Sequence, residues 1–393
     1  MKKFLFVWEL GANYGHLTRD LQVAKYLRAR GHSVYFAVCD TRIATELLAP
    51  HSYEFVQAPL SQAKTRLLRP PANYAELLLA EGWGNQPSFT GRLRAWISLF
   101  KLTEPDTVIA DHAPTALLAA HISGLHGVAF GSGFEIPPTV TPMPSIRPWE
   151  NIESSRLEKS EKFVLEQANA VSLALGGKPL TRLTDIFPPK PVLATFAELD
   201  HYGERENVTY TGSIHGIEFA ESVAWKNSGG PKILAYLRLS QRATGAVLAA
   251  LAEAGEQTIC IVPGISQDQI RKYATPNLSI YSRPVALTQL LASADVTISY
   301  GGIGVITESL LAGVPLIMIP AMVEQYLASL TVEKLGAGIL LGETRDKNTI
   351  FAAIKKILSD SAFRKAATHF AEKYKGSTSE YSAELAAEAI LNN

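Results

Sequence analysis

Three places in this sequence combine residue types that could do chemistry on a phosphorylated ligand. The first is the glycine-rich stretch Tyr300-Gly301-Gly302-Ile303-Gly304-Val305, set between an apolar run and a helical segment. Glycine lets the backbone turn tightly and approach a ligand closely. The open N–H groups and the dipole of the helix that follows favour an anion such as a diphosphate, although plain strand–helix turns use glycine in the same way. The second is His16, which follows Gly11 and Gly15 beyond the first apolar run. An imidazole titrates near neutrality and can take a proton from a hydroxyl; it can equally cap a helix. Asp111 ends a further apolar run, where a carboxylate either orients such a base or caps the next helix. His112, beside it, is a weaker candidate for the base. The third is Arg238, just past the apolar run at 232–237. Its guanidinium matches phosphate oxygens bidentately, or it forms a surface ion pair.

Short apolar runs alternate with helical segments, and these must position the candidates. Residues 4–8, 34–39, 108–110, 128–130 and 192–194 read as strands. Residues 17–30 read as a helix, with Leu21, Ala24 and Leu27 at helical spacing and Gly31 as its C-terminal stop. A second series begins near Pro231, with strands at 232–237, 258–262, 278–281, 296–299 and 316–319. Such alternation predicts α/β folding around parallel sheets. The expected organisation is an N-terminal domain at 1–212, a linker at 213–229, a second domain at 230–376 and a helix at 377–393 that packs back on the first domain. Ligands of open α/β sheets bind beyond the carboxyl ends of the strands, so the expected site is a cleft between two doubly wound halves. Residues 131–149 carry five prolines and read as a long loop of the kind that lines a site. Phe134, Met143 and Trp149, with Trp83 and Trp96, offer it apolar contacts.

The chain has 393 residues, enough for two domains of ordinary size. Its formal net charge is zero and its basic residues are scattered, which argues against nucleic acid as a partner. Cys39 and Cys260 lie far apart and read as buried thiols, compatible with a reducing cytoplasm. The apolar run after Lys2 and Lys3 breaks at Glu9, too early for a secretory core. No run approaches the roughly 18 residues of a membrane span. Trp83, Phe89, Trp96 and Phe100 lie close enough in sequence to offer a peripheral membrane contact.

The stretch 282–325 resembles the donor-binding box of the UDP-glycosyltransferases, glycosyltransferase family 1. From Pro284 and Val285 onward, Gly302, Glu308, Gly313, Pro315, Pro320, Glu324 and Gln325 keep its register without a gap. The resemblance implies the GT-B fold, two Rossmann-like domains facing across a cleft. It implies a UDP- or dTDP-sugar donor whose phosphates meet the backbone of Gly301 to Val305. Glu308 would accept hydrogen bonds from the ribose hydroxyls, and Glu324 and Gln325 would grip the sugar. The Gly15-His16 step resembles the family's catalytic histidine loop, and Asp111 the aspartate that pairs with it. Transfer would invert the anomeric centre without a metal or other cofactor, onto a small molecule, a lipid or a glycan. Three positions depart from the family pattern: Tyr300 stands for a phosphate-binding His, Val305 for Ser or Thr, and Ser282 for a base-stacking Trp. Arg238 is the expected compensation for the first. Two other functions fit the same fold. A nucleotide-sugar 2-epimerase would convert the donor alone, and a non-catalytic sugar-nucleotide-binding partner protein would bind without turnover.

Overall fold

The computed structural model describes all residues except 13, 216–220, 227–228, 343 and 345. The chain divides into two compact units, residues 1–215 with 378–393, and residues 216–377.

The first unit begins β1 (Lys3–Trp8), α1 (Gly15–Ala29), β2 (Ser33–Val38), α2 (Thr41–Leu47) and β3 (Glu54–Gln57). It continues α3 (Tyr74–Ala80), α4 (Gln86–Thr103), β4 (Thr107–Asp111), α5 (Pro114–Ser123), β5 (His126–Gly131), α6 (Ser154–Ala174), β6 (Val192–Leu193) and β7 (Thr209–Tyr210). The seven strands pair in parallel in the order β3-β2-β1-β4-β5-β6-β7. Strand β1 shows why the apolar run is unbroken. Phe4, Phe6 and Trp8 enter one core, while Leu5 and Val7 enter the other. A parallel sheet covered on both faces demands apolar residues at every position. Helix α1 buries Leu17, Leu21, Ala24 and Leu27 and stops at Gly31, whose φ of +81° suits glycine.

The second unit contains β8 (Lys232–Tyr236), α7 (Thr244–Ala254), β9 (Gln257–Ile261), α8 (Gln267–Tyr273), β10 (Leu278–Tyr281), α9 (Thr288–Leu291) and β11 (Val296–Ser299). There follow α10 (Ile303–Leu311), β12 (Leu316–Met318), α11 (Val323–Lys334), β13 (Gly338–Leu340), α12 (Lys347–Ser359) and α13 (Ser361–Lys373). Its sheet is also parallel, in the order β10-β9-β8-β11-β12-β13. In both sheets the strand order reverses direction beside the first strand, so the loops after β1 and β4, and after β8 and β11, flank the switch points where α/β sheets bind ligands. The last helix, α14 (Ser379–Leu391), returns to the first unit and packs on α1.

Several local expectations change. Trp83, Phe89, Trp96 and Phe100 are 0–3% exposed and belong to the core of the first unit, so they offer nothing to a membrane. Phe89, Leu93, Trp96 and Phe100 form the inward stripe of α4. No helix among the described residues is long and apolar enough to cross a membrane. In loop 131–149, Gly131 to Ile136, Met143 and Ile146 are buried. Trp149, by contrast, is 41% exposed. Around the expected linker, Ile214 is buried in the first unit. Glu221 bridges to Val285, and the indole of Trp225 donates to the Leu290 carbonyl at 3.2 Å, both in the second unit; part of this stretch lies outside the described residues. Cys260 is buried in β9. Cys39 lies just past β2 and is half-buried, its thiol pushed up to about 12 by burial.

Candidate active site

The loop after β1 is drawn tight by two contacts. The Trp8 indole donates to the Leu10 carbonyl at 2.7 Å, and the Leu10 N–H donates to the His112 carbonyl at 3.0 Å. Gly11 has φ +92°, and a Cβ there would collide with Nε2 of His16. His16 itself lies in the first turn of α1 and not in the loop before it. Its ring stacks on Trp8 at 5.4 Å, and its Nδ1 is 2.8 Å from Oδ1 of Asp111. Nε2 makes no hydrogen bond among the described residues.

Asp111 is the last residue of β4 and is fully buried. It does not cap α5, whose N-cap position is Ala113. Glu9 accepts from the Thr115 N–H at that helix start, at 2.9 Å. Between them His112 has φ +47°, a strained conformation for a non-glycine residue. Burial holds the His112 imidazole down to about 4. It is a neutral ring, 6.0 Å from His16 and in edge contact with Phe134 at 6.2 Å.

Two residues that the sequence reading missed complete this arrangement. Arg19, one helical turn past His16, donates from Nη2 to both oxygens of Asp111 at 2.6 Å and from Nε at 3.2 Å. Glu135, in the loop after β5, lies 3.5 Å from the same Nη2 and accepts from the N–H and hydroxyl of Ser132, each at 2.9 Å. Spacing i,i+3 on a helix is the one signal that joins Arg19 to His16; Glu135 depends on the path of a loop. Burial opposes the Asp111 charge, but Arg19 and His16 outweigh it and hold the carboxyl below the usual carboxylate range. Burial likewise opposes the imidazolium of His16, yet Asp111 and Glu135 together draw its pKa upward. Because Asp111 stays a carboxylate, the His16 proton sits on Nδ1 and leaves Nε2 as acceptor. Ligand-type atoms of His16, Asp111 and Glu135 lie within 4.8 Å of one another. The Arg19 charge already occupies the space between the two carboxylates, and a cation there would have to displace it.

In the second unit, the loops after β8, β11 and β12 converge. Gly301 has φ +81°, and a Cβ would lie 2.9 Å from the Gln325 carbonyl and collide with the Ser329 hydroxyl. The turn is therefore pressed against α11. Gly302 is the N-cap of α10, so the N–H groups of Ile303, Gly304 and Val305 have no acceptor within the helix. Gly304 faces open space. The Arg238 guanidinium lies 4.2 Å from the centroid of the Tyr300 ring, a cation–π contact. Burial pushes the Glu308 carboxyl up to about 7. Glu324 is half-buried in the first turn of α11, and Gln325 is buried with its Oε1 accepting from the Ala321 N–H at 3.3 Å. Val285 and Val305 are buried in one apolar cluster, so only their backbones remain for a ligand. The Pro284 carbonyl is taken by the Glu221 N–H at 3.2 Å. A cavity of about 320 Å³ is lined by Ser240, Gln241, Arg242, Ile319 and Pro320, of which the sequence reading singled out only Pro320.

Residues 246–388 match the family model described as the erythromycin biosynthesis protein CIII-like C-terminal domain. A PGL/p-HBAD biosynthesis glycosyltransferase of Mycobacterium tuberculosis is 25% identical over 405 residues, covering 95% of this chain and 89% of that protein. Among solved structures, the glycotransferase of kitacinnamycin superposes with a TM-score of 0.74 at 18% identity, over 100% of this chain and 98% of the other. The spinosyn rhamnosyltransferase does so at 0.66 and 17% in complex with spinosyn aglycone, over 100% of both chains. Its complex with thymidine diphosphate gives 0.61 and 18%, over 95% and 96%. Two parallel-sheet units shared with these structures define the GT-B fold. Together with the matched C-terminal domain and the full-length relative, they mark the chain as a glycosyltransferase similar to the UDP-glycosyltransferases of glycosyltransferase family 1.

Proposed function

We propose that the chain transfers a sugar from a UDP- or dTDP-sugar to the hydroxyl of a small-molecule acceptor, with inversion, and that His16 is the general base. The reading rests above all on one geometric feature: Nδ1 of His16 lies 2.8 Å from a carboxylate locked by Arg19, while Nε2 makes no hydrogen bond among the described residues. Nε2 takes the acceptor proton as the oxygen attacks the anomeric carbon, and the bond to the diphosphate breaks. Asp111 stabilises the imidazolium that forms. The leaving diphosphate is received by the N–H groups at the start of α10 and by Arg238. Glu308 accepts from the ribose, and Glu324 and Gln325 from the sugar. Thymidine diphosphate and an aglycone in the spinosyn enzyme support this choice of donor and acceptor. The charge of Arg19 favours a reaction without a metal ion.

A thermal-shift screen of nucleotide sugars identifies the donor, because a ligand of the native state raises the melting temperature. With that donor, His16→Ala is expected to lower transfer by roughly a hundred- to ten-thousandfold and to keep the donor-induced shift. EDTA is expected to leave the rate unchanged. Undiminished turnover in His16→Ala removes His16 from the mechanism. Isomerisation of the donor without any acceptor would identify an epimerase instead.

A further inference from the structure

Four further ionisable side chains meet beside His16 and Asp111, more than a base and its orienting carboxylate need. The groups facing His16 are Arg19 and Asp20 of α1, Asp111 and His112 at the end of β4, and Glu135 from the loop after β5. Arg19, Asp20, Asp111 and Glu135 are 0–6% exposed. Among the described residues no N–H or hydroxyl donor reaches either oxygen of Asp20, whose carboxyl hydrogen-bonds with that of Asp111. Burial first, and then the neighbouring Asp111 charge, hold Asp20 well above the usual carboxylate range, which favours its neutral form beside the Asp111 carboxylate. Asp111 and Glu135 remain ionised, both held down by Arg19 against the effect of burial. With Arg19 as the one permanent cation, the buried group carries a single net negative charge while His16 is neutral. It becomes neutral when His16 gains a proton.

We propose that Arg19 is a positioning residue for His16: clamped on both oxygens of Asp111, it fixes the carboxylate that aims the imidazole and supplies the positive charge that leaves room for only one more proton. This rests on the reading of His16 as the base. Without Arg19 two carboxylates would face the imidazole uncompensated, and His16 would hold its proton through the working pH range. With it, one of those two charges is compensated, and the carboxylates still stabilise the imidazolium as the acceptor gives up its proton. The geometry is specific to a guanidinium. One Nη2 reaches both oxygens of Asp111 and lies 3.5 Å from Glu135, while Nε makes a further bond to Asp111. The stem passes Phe130, with the guanidinium 5.4 Å from that ring.

The test is the titration of His16 by NMR of the full chain labelled at its histidines, with the His16 signal assigned from its loss in His16→Ala. Arg19→Met is expected to raise the His16 midpoint by about one to three pH units and to move the acid limb of the donor-turnover profile with it. Arg19→Lys is expected to restore the midpoint, since the charge returns, but to keep turnover at least about tenfold low, since the two-oxygen grip does not. A midpoint unmoved in Arg19→Met, or moved equally by both variants, overturns the proposal. If Arg19→Met does not fold, natural turnover in Arg19→Lys overturns it and the tenfold loss at an unchanged midpoint upholds it. Full turnover in His16→Ala would instead sink the base assignment and leave the measured coupling standing. A dead His16→Ala beside an unmoved midpoint sinks only the role of Arg19.

Discussion

At the scale of single residues, Glu308 lends itself to a quantitative prediction. Its carboxyl is pushed up to about 7 by burial. A folded-state value above the unfolded one means that the folded chain binds more protons over that interval. Stability of the ligand-free protein therefore falls as pH rises from the ordinary glutamate range to about 7. If the ribose hydroxyls need the ionised form, nucleoside diphosphate binds only that fraction. Affinity should then weaken about tenfold between pH 8 and pH 6. Calorimetric titration at several pH values measures this, and Glu308→Gln should bind weakly with the slope from this residue removed. A natural chain that binds equally at both pH values excludes the role. The sequence names Glu308, and it names both partners of the His16–Asp111 contact. It does not disclose Arg19 or Glu135. Arg19 lies on a helix whose apolar spacing says nothing of a buried arginine, and Glu135 comes near it only through the fold of a proline-rich loop.

At the scale of elements, two glycines of one turn have different reasons to be glycine. Gly301 is in the left-handed region and abuts the backbone of α11. Gly301→Ala should therefore destabilise by about 2 to 4 kcal/mol, from the backbone conformation and the overpacking together, and chemical denaturation would record it. Gly304 has open space around it and lies in the first turn of α10. Gly304→Ala should leave stability unchanged or raise it by up to about 1 kcal/mol, yet weaken donor binding because its methyl group occupies the space of the phosphates. Equal donor affinity in Gly304→Ala would take the diphosphate away from this turn. The strands around such turns were readable where they are buried on both faces. The strands missed, β3, β7 and β13, all lie at sheet edges, and β3 is largely exposed. β7 has 2 residues and β13 has 3. An edge strand is held by one neighbour and needs no long apolar run, so pattern alone does not reveal it. The aromatic stripe of α4 shows the converse: its spacing is visible, but whether core or membrane covers it is decided by tertiary packing.

At the scale of the molecule, the α/β class followed from the alternation of strands and helices, but the contacts that hold the last helix on the first unit did not. The first unit is left at His215 and re-entered at Thr378, and the two points are stitched together. The His215 N–H donates to the Ser379 hydroxyl at 2.9 Å, which in turn donates to the His215 carbonyl at 2.7 Å. Helix α14 then buries Ala383, Ala386, Ala387 and Ile390 in the core that also holds Leu17 and Leu21 of α1, and Arg30 of the chain just past α1 pairs with Glu388. The helix that carries His16 and Arg19 is thus backed by the last residues of the chain. Removing residues 378–393 strips roughly 4 kcal/mol of apolar burial from Ile390 and the three alanines alone. The expected result is a lower melting temperature for the first unit only, seen in calorimetry as two separated transitions, with a nucleotide sugar still raising the second. His16 should lose its upward-shifted titration, because α1 no longer holds the imidazole against Asp111 and Glu135. If the truncated chain melts as the full one does, or loses the nucleotide-induced shift instead, the C-terminal helix does not support the catalytic helix.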